Sequence, residues 1–287
     1  MSRRLGRNVL VLSVVSLLTD ASSEMIYPLL PVFMASVLGA GAVAVGALEG
    51  LAQAVSALMQ VVSGQWSDRV ARRKPLIVAG YTLASVLRPL VGLATSVGQV
   101  LAIRVGDRVG KGVRGAPRDA LIAASVPAAD RGRAFGFHRA ADHAGAVIGP
   151  LAAFALLSWW GVGLRTVFLL AAIPAVLAVV VAVVGIIEVP ATARGTVRGL
   201  GQVPRGTLAR YLGVLALFTL GNSTDAFLLL RAQEAGVPVA QVPLLWAFLH
   251  VVKSLASTPG GALSDRVGRR PLLLAGWAVY ALVYLGF

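Results

Sequence analysis

The stretch Gly64-Gln-Trp-Ser-Asp68-Arg69-Val-Ala-Arg72-Arg73-Lys-Pro75 recurs further along the chain as Gly261-Ala-Leu-Ser-Asp265-Arg266-Val-Gly-Arg269-Arg270-Pro271. A polar, cationic segment that returns in the same order marks an internal duplication. Its surroundings say what was duplicated. The 287 residues are 57% hydrophobic and 13% charged, with a mean hydropathy of +0.81. A soluble domain carries roughly 45 to 50% apolar and about a quarter charged residues, so this chain is too apolar for one water-soluble core. The formal charge of +14 does not point to nucleic acid, because the cations punctuate apolar runs and do not coat a solvated face. With no Cys and three His, disulfides, thiolate metal sites and Cys nucleophiles are excluded, and neither a metal centre nor a cofactor is expected. No phosphate-binding glycine loop follows a strand and no Ser-His-Asp set has a supporting fold, so an enzyme is not expected.

A bilayer core of about 30 Å takes roughly 20 apolar helical residues per crossing. Spans are predicted near 9–33, 43–64, 76–95, 98–120, 133–157, 164–187, 208–230 and 239–261. A ninth starts at Pro271 and reaches Phe287, a run of only about 25 Å, so the chain reads as a fragment of something longer. The first segment is not a signal peptide: it is too long and carries Asp20 and Glu24 where an apolar region should be.

Lys and Arg concentrate in alternate loops. Sixteen fall at the N-terminus and after spans 2, 4, 6 and 8, against Arg165 and Arg231 in the opposite loops. The N-terminus is therefore expected on the cytoplasmic side of the cell's inner membrane. The other cations fall within spans or at their ends, where charge is costly and usually functional.

Both copies of the repeated segment follow the second span of a half, the parallel-repeat layout of two bundles. At this point the chain resembles the major facilitator superfamily, whose loop motif is a Gly, then Asp-Arg, then Gly-Arg-Arg or Gly-Arg-Lys. Ala71 departs from it in the first copy, while Gly268 keeps it in the second. The resemblance implies an all-α polytopic fold: a six-helix bundle over 1–188, a cytoplasmic linker over 189–207 and about three helices of a second bundle over 208–287. It also implies that the motif gates the transporter, with Gly64, Asp68, Arg69, Arg72 and Arg73 matched by Gly261, Asp265, Arg266, Arg269 and Arg270. Physically, Gly64 allows close helix approach, Asp68 can accept hydrogen bonds at a helix N-terminus, and the arginines suit lipid phosphates. A purely topogenic basic loop is the alternative.

Span 4 is the most informative. At about 100° per residue, Arg104, Asp107, Arg108, Lys111, Arg114 and Arg118 share one face, opposite Ala102, Val105, Val109 and Val113. The run Arg108-Val-Gly-Lys111-Gly112 resembles the family's fourth-helix motif, with Lys111 in place of the usual Gln. Arg114, Arg118 and Asp119 read as interfacial. Arg104, Asp107, Arg108 and Lys111 lie deeper and need carboxylate partners or an anionic ligand. Span 1 places Ser13, Ser16, Asp20, Ser23, Glu24 and Tyr27 on one face; span 3 carries Arg88; span 5 puts His138 and Asp142 on a face with Gly145 and Gly149. Asp20, Asp142 and Glu49 are expected to balance Arg88, Arg108 and Lys111, as cavity-lining groups or as structural ion pairs. Glu24 and Glu49 lie nearer the outer side.

Gly145-Ala-Val-Ile-Gly149-Pro150 is similar to the family's antiporter motif, though Ala152, Ala153 and Phe154 replace its later glycines. Such spacing also serves plain helix packing. In the second half, Asn222 and Asp225 sit in span 7, and His250 and Lys253 in span 8. His250 is either a proton acceptor or a packing residue. The expected function is alternating-access secondary transport of a small molecule by a monomer in the lipid bilayer, driven by the proton gradient, in the export direction. An organic-anion or phosphate-ester exchanger is the alternative, and a non-transporting receptor or scaffold, or an inactive fragment, belongs to another class.

Overall fold

The computed structural model describes residues 6–70, 72–127, 130–189, 206–221, 226–267 and 269–285. All regular structure among them is helical. The first half comprises α1 (Arg7–Ile26), α2 (Leu30–Ser36), α3 (Ala42–Arg69), α4 (Lys74–Leu87), α5 (Val97–Ala124), α6 (Arg131–Ser158), α7 (Leu164–Leu170) and α8 (Ala172–Gly185). The second comprises α9 (Thr207–Leu220), α10 (Ala226–Glu234), α11 (Val242–Val267) and α12 (Arg269–Leu285). Short 3₁₀ turns at Tyr27–Leu29 and Arg88–Leu93 continue α1 into α2 and extend α4. Each contains a proline near its start, Pro28 and Pro89, which supplies the fixed φ of a first helical turn and removes an N–H that a continuous α-helix would need.

Five stretches are long and apolar enough to cross a membrane: Arg7–Ser36, Ala42–Ser67, Lys74–Leu93, Ala134–Ser158 and Leu164–Gly185. They correspond to predicted spans 1, 2, 3, 5 and 6. Helix α5 has the same 28 residues as α3 and α6, about 42 Å at 1.5 Å per residue; only its charged face keeps it out of that set. Predicted span 7 divides into α9 and α10, and Asn222 and Asp225 lie outside the described residues, as do Ala71, Gly268 and most of the predicted linker.

The chain runs up and down, so Arg7, Arg69, Lys74, Ala124, Arg131 and Gly185 come to one end, here the N-terminal face. Ser36, Val97 and Leu164 come to the opposite end. Helix α1 packs on α6 and α8, and α5 on α3 and α4. Apolar packing concentrates at the two ends. Near the N-terminal face Val9, Leu12, Ile77, Tyr81, Leu121 and Ala182 form one buried cluster. Near the opposite end Leu29, Phe33, Val91 and Phe168 form another, with the Phe33 and Phe168 rings edge to face at 5.3 Å. Helix α8 shows which solvent this surface expects. Ala175, Ala178 and Ala182 are fully buried, whereas Ile173, Val176, Val180 and Val184 are exposed; small residues face protein and large aliphatics face outward, as helices packed within lipid require.

Two polar clamps fix the N-terminal face. The Asn8 side chain donates to Ser125 Oγ at 3.0 Å and to the Ile187 carbonyl at 2.9 Å, and accepts from the Ile187 N–H at 2.9 Å. The Glu188 carboxylate accepts from the backbone N–H groups of Arg73 and Lys74, both at 2.9 Å. An anion there satisfies orphan donors at the start of α4 and complements its dipole.

Candidate functional site

Helix α5 is wedged by its glycines. A Cβ on Gly110 would stand 2.7 Å from the Gly80 carbonyl oxygen of α4, and one on Gly112 would run into Met59 of α3. Ser63 Oγ donates to the Gly112 carbonyl at 2.7 Å. Backbone contact on two sides fixes the rotation of α5, and its charged face is then directed inward.

Part of that face is consumed by a buried network. The Arg88 guanidinium donates to Asp107 Oδ1 at 2.8 and 3.1 Å and to the Thr19 carbonyl at 2.9 Å. Arg104 pairs with Glu49 at 3.3 Å and with Asp107 at 3.6 Å, and lies over the Tyr27 ring at 5.0 Å. Arg88, Arg104, Asp107 and Glu49 are each at most 5% exposed. The expected pairing is corrected here: Glu49 serves Arg104, and Arg88 takes Asp107 of its neighbour α5, because Gly80 and Gly110 bring those two helices into backbone contact. Glu49 is no open entry residue; it is sealed in this network.

The remaining charges surround a cavity of about 230 Å³ lined by α1, α3, α5, α6 and α11. Asp20 and Glu24 come from α1, Lys111, Arg114 and Arg118 from α5, Asp142 and His143 from α6, and His250 from α11. A second cavity of about 190 Å³ shares Asp20, Glu24, Lys111, Arg114 and His250 and adds Arg88, Arg108, Gln53 and Trp246. Asp142 is not partnered by Arg108. It accepts a short hydrogen bond from Ser16 Oγ, and His138 and Arg139 stand 3.7 and 3.6 Å from its oxygens. His138 is buried behind it, at 3% exposure. Arg114, expected at the interface, is 4% exposed and stacks on the Tyr81 ring at 4.2 Å. Arg118, paired with Asp119 at 2.9 Å, and Arg139, whose side chain is 75% exposed, lead the cavity toward the N-terminal face.

The opposite end is shut by the second half. Trp246 Nε1 donates to Glu24 Oε2 at 2.6 Å, and its ring meets Tyr27 at 4.9 Å and His250 at 5.1 Å. Val32, Leu229, Val242 and Trp246 pack into an apolar plug behind this contact, and Phe227 sits against Gly46. Two halves thus touch at one end and leave a polar cavity toward the other. The profile of the Major Facilitator Superfamily matches residues 12–287. The chain belongs to the Major Facilitator Superfamily.

Among relatives of this facilitator, the uncharacterized MFS-type transporter MJ1317 of Methanocaldococcus jannaschii is 35% identical over 99% of this chain and 73% of its own length. The multidrug resistance protein MdtG of Enterobacter lignolyticus is 26% identical over 97% of this chain and 69% of its own. A bacterial homolog of the human lysosomal transporter Spinster, solved inward-facing and unoccupied, aligns with a TM-score of 0.71 at 22% identity, covering 92% of this chain. The chain spans 63% of that structure's length.

In this facilitator the two family motifs fall as follows. Gly64 to Arg69 form the last turns of α3, and Gly261, Asp265 and Arg266 lie within α11, with Arg269 and Arg270 opening α12; the segments predicted as loops are largely helical. The side chains of Asp68, Asp265, Arg266 and Arg269 lie outside the described residues. A Cβ on Gly64 would meet Ala116 at an ordinary 3.8 Å, so Gly64 is not a point of tight approach. Arg69 and Arg72 are exposed and Arg73 half-buried. Gly145 and Gly149 are tight: a Cβ there would collide with the carbonyl oxygens of Leu17 and Ala21 on α1. With Pro150 inside α6, the antiporter-like segment is the seam between α1 and α6. Sequence reading missed Trp246 and Glu188. The first is hidden in an apolar run, although its spacing of one turn from His250 puts both on one face; the second stands past the end of span 6.

Proposed function

We propose that this facilitator is a secondary transporter that works by alternating access and exports a small molecule in exchange for protons. The N-terminal face is cytoplasmic, the bundles divide at 189–207, and the conformation described is the inward-open one. One observation carries the reading: Asp20 and Asp142, two carboxylates of the membrane interior, line a single cavity that the second half closes at the opposite end. A carboxylate in that position can take a proton in one state and give it up in the other. The inward-facing Spinster homolog and the multidrug resistance name of MdtG support state and direction. The excess of Lys and Arg on the N-terminal side supports the orientation.

The test uses the full-length chain in pyranine-loaded proteoliposomes, with fluorescein as anionic probe and ethidium as cationic probe. Probe-evoked proton movement is expected for one of them, and Asp20→Asn is expected to abolish it. Proton movement that neither probe evokes, or that Asp20→Asn and Asp142→Asn both leave intact, defeats the reading. A reporter after Arg198 is expected inside the cell and one after Gly161 outside; the reverse overturns the orientation.

A further inference from the structure

Helix α5 carries Arg108, Lys111 and Arg114 at successive steps of three residues, so neighbouring cations stand within one turn of each other. All three border the cavity system. Lys111 is exposed within it, while Arg108 and Arg114 are 9% and 4% exposed. Among the described residues none of the three lies within 4 Å of a carboxylate oxygen; the ion pairs of α5 are made by Arg104, Asp107, Arg118 and Asp119. Among the described residues, the Nε atoms of Arg108 and Arg114, and Nη1 of Arg114, are buried without a hydrogen-bond acceptor. Buried guanidinium donors without acceptors are costly, and three adjacent cations repel one another.

The facing wall supplies only part of the balance. Asp20 and Glu24 of α1 line the same space, but Glu24 already accepts from Trp246, and Asp20 is in no ion pair among the described residues. Arg88 is spent on Asp107. Asp142 borders the first cavity but already accepts from Ser16 and stands beside His138 and Arg139. In the second cavity Arg108, Lys111 and Arg114 outnumber Asp20 and Glu24, and the demand left there is for hydrogen-bond acceptors carrying negative charge.

We propose that Arg108, Lys111 and Arg114 form the subsite for an anionic group, a carboxylate or phosphate, of the transported molecule. This deepens the transport reading and rests on it for the word transported; the binding itself can be measured without flux. The guanidinium donors of Arg108 and Arg114 would engage the oxygens, with Lys111 as the point charge between them on the exposed wall of the cavity. The closed end, where Tyr27 and Trp246 meet, sets the limit for the organic body of the ligand.

The experiment takes the purified full-length protein and follows thermal unfolding with four probes of one shape: benzoate, phenyl phosphate, benzylamine and benzyl alcohol. Ligands that bind the folded state raise the unfolding temperature. Benzoate or phenyl phosphate is expected to protect, and the amine and alcohol are not. Arg108→Gln and Lys111→Gln are each expected to weaken the protecting anion by about tenfold, and Lys111→Arg to restore it, which separates lost charge from lost folding. Protection by benzylamine in place of the anions, protection by neither anion, or anion protection that survives the Arg108→Gln/Lys111→Gln double variant overturns the subsite. Anion protection without pH-driven flux keeps the subsite and removes the transport reading; proton-coupled ethidium flux without anion protection does the reverse.

Discussion

Trp246 and Glu24 are joined by a 2.6 Å hydrogen bond that spans 222 residues of chain and links α11 to α1 at the closed end of the cavity. The indole can only donate and the carboxylate can only accept when ionised, so the contact depends on both partners. It lies where His250 and Tyr27 also touch the indole, and the cavity ends there. A hydrogen bond to a charged group is worth about 1.5 to 3 kcal/mol, enough to tilt a two-state equilibrium by about tenfold to a hundredfold.

Trp246→Phe keeps an aromatic ring against Tyr27 but removes the N–H together with part of the indole, and Glu24→Gln, which removes the charge and leaves the indole in place, is its control. We expect both to release the closed end. These 287 residues contain no Cys, so Ser23→Cys, beside Glu24 in the cavity, adds a label site that the unsubstituted protein serves to control. Labelling of that site by a membrane-impermeant maleimide from the side of Gly41 should rise several-fold in Trp246→Phe and in Glu24→Gln. Unchanged labelling in both variants would show that the apolar plug alone holds this end.

The seam between α1 and α6 offers a graded test of packing. Gly149→Ala would force a methyl group into the Ala21 carbonyl, and overpacking of this kind costs about 1 to 3 kcal/mol. Gly136 lies on the same helix, and a methyl group added there would meet nothing within 4 Å, so Gly136→Ala should be neutral or stabilise by about 0.5 to 1 kcal/mol through helix propensity. Thermal unfolding in detergent compares the two. Equal melting temperatures would remove Gly149 from the seam and reopen an antiport role for the segment independent of packing.

The fold was legible where hydropathy speaks: long apolar runs placed α1, α3, α4, α6 and α7 with α8 within a few residues. The duplicated Asp-Arg segment pointed to the family that the profile match shows. Inward charge on α5 was legible too, since Arg104 to Arg118 share one face. What composition and periodicity leave open is who pairs with whom. Arg88, Arg104 and Arg108 lie at similar depth, and any nearby carboxylate can be assigned to any of them. The choice is made by Gly80 against Gly110, which brings α4 onto α5 and gives Arg88 to Asp107. Arg114 looked interfacial because it lies late in α5, yet Tyr81 of α4 covers it. Trp246 gave no signal of polarity in an apolar run; its role exists only because α11 docks on α6 and beside Tyr27.

Glu188 ties the end of α8 to the start of α4, and hence to the last residues of the Gly64–Pro75 motif. Glu188→Ala removes the acceptor of two backbone donors and should cost about 1 to 2 kcal/mol, the range of a lost helix cap. Hydrogen exchange should locate the effect: the Arg73 and Lys74 amides should exchange about fivefold to thirtyfold faster, while those of α6 stay unchanged. Glu188→Gln keeps one acceptor oxygen and should fall between. If the two amides remain protected in Glu188→Ala, the start of α4 is held by other contacts.

The Arg88–Asp107 pair and the Asp20 carboxylate make opposite predictions although both lie in the membrane interior. Arg88 is engaged by two hydrogen bonds to Asp107 Oδ1 and one to the Thr19 carbonyl, and Asp107 Oδ2 faces Arg104. Removing one member of such a buried pair strands the other charge, which costs about 3 to 5 kcal/mol. Asp107→Asn and Arg88→Ala should therefore lower the unfolding temperature and the amount of folded protein. The double variant Arg88→Met/Asp107→Leu replaces charge by apolar volume and should recover much of that loss, since apolar packing of similar volume often matches a buried pair, although it leaves Arg104 with Glu49 alone. Asp20, which borders the cavity and holds no ion pair among the described residues, should tolerate Asp20→Asn with little change in stability while losing proton-driven flux. The comparison is read from unfolding curves and flux on the same preparations. Asp20→Asn as destabilising as Asp107→Asn would make Asp20 a structural residue, and coupling would then rest on Asp142 or His250.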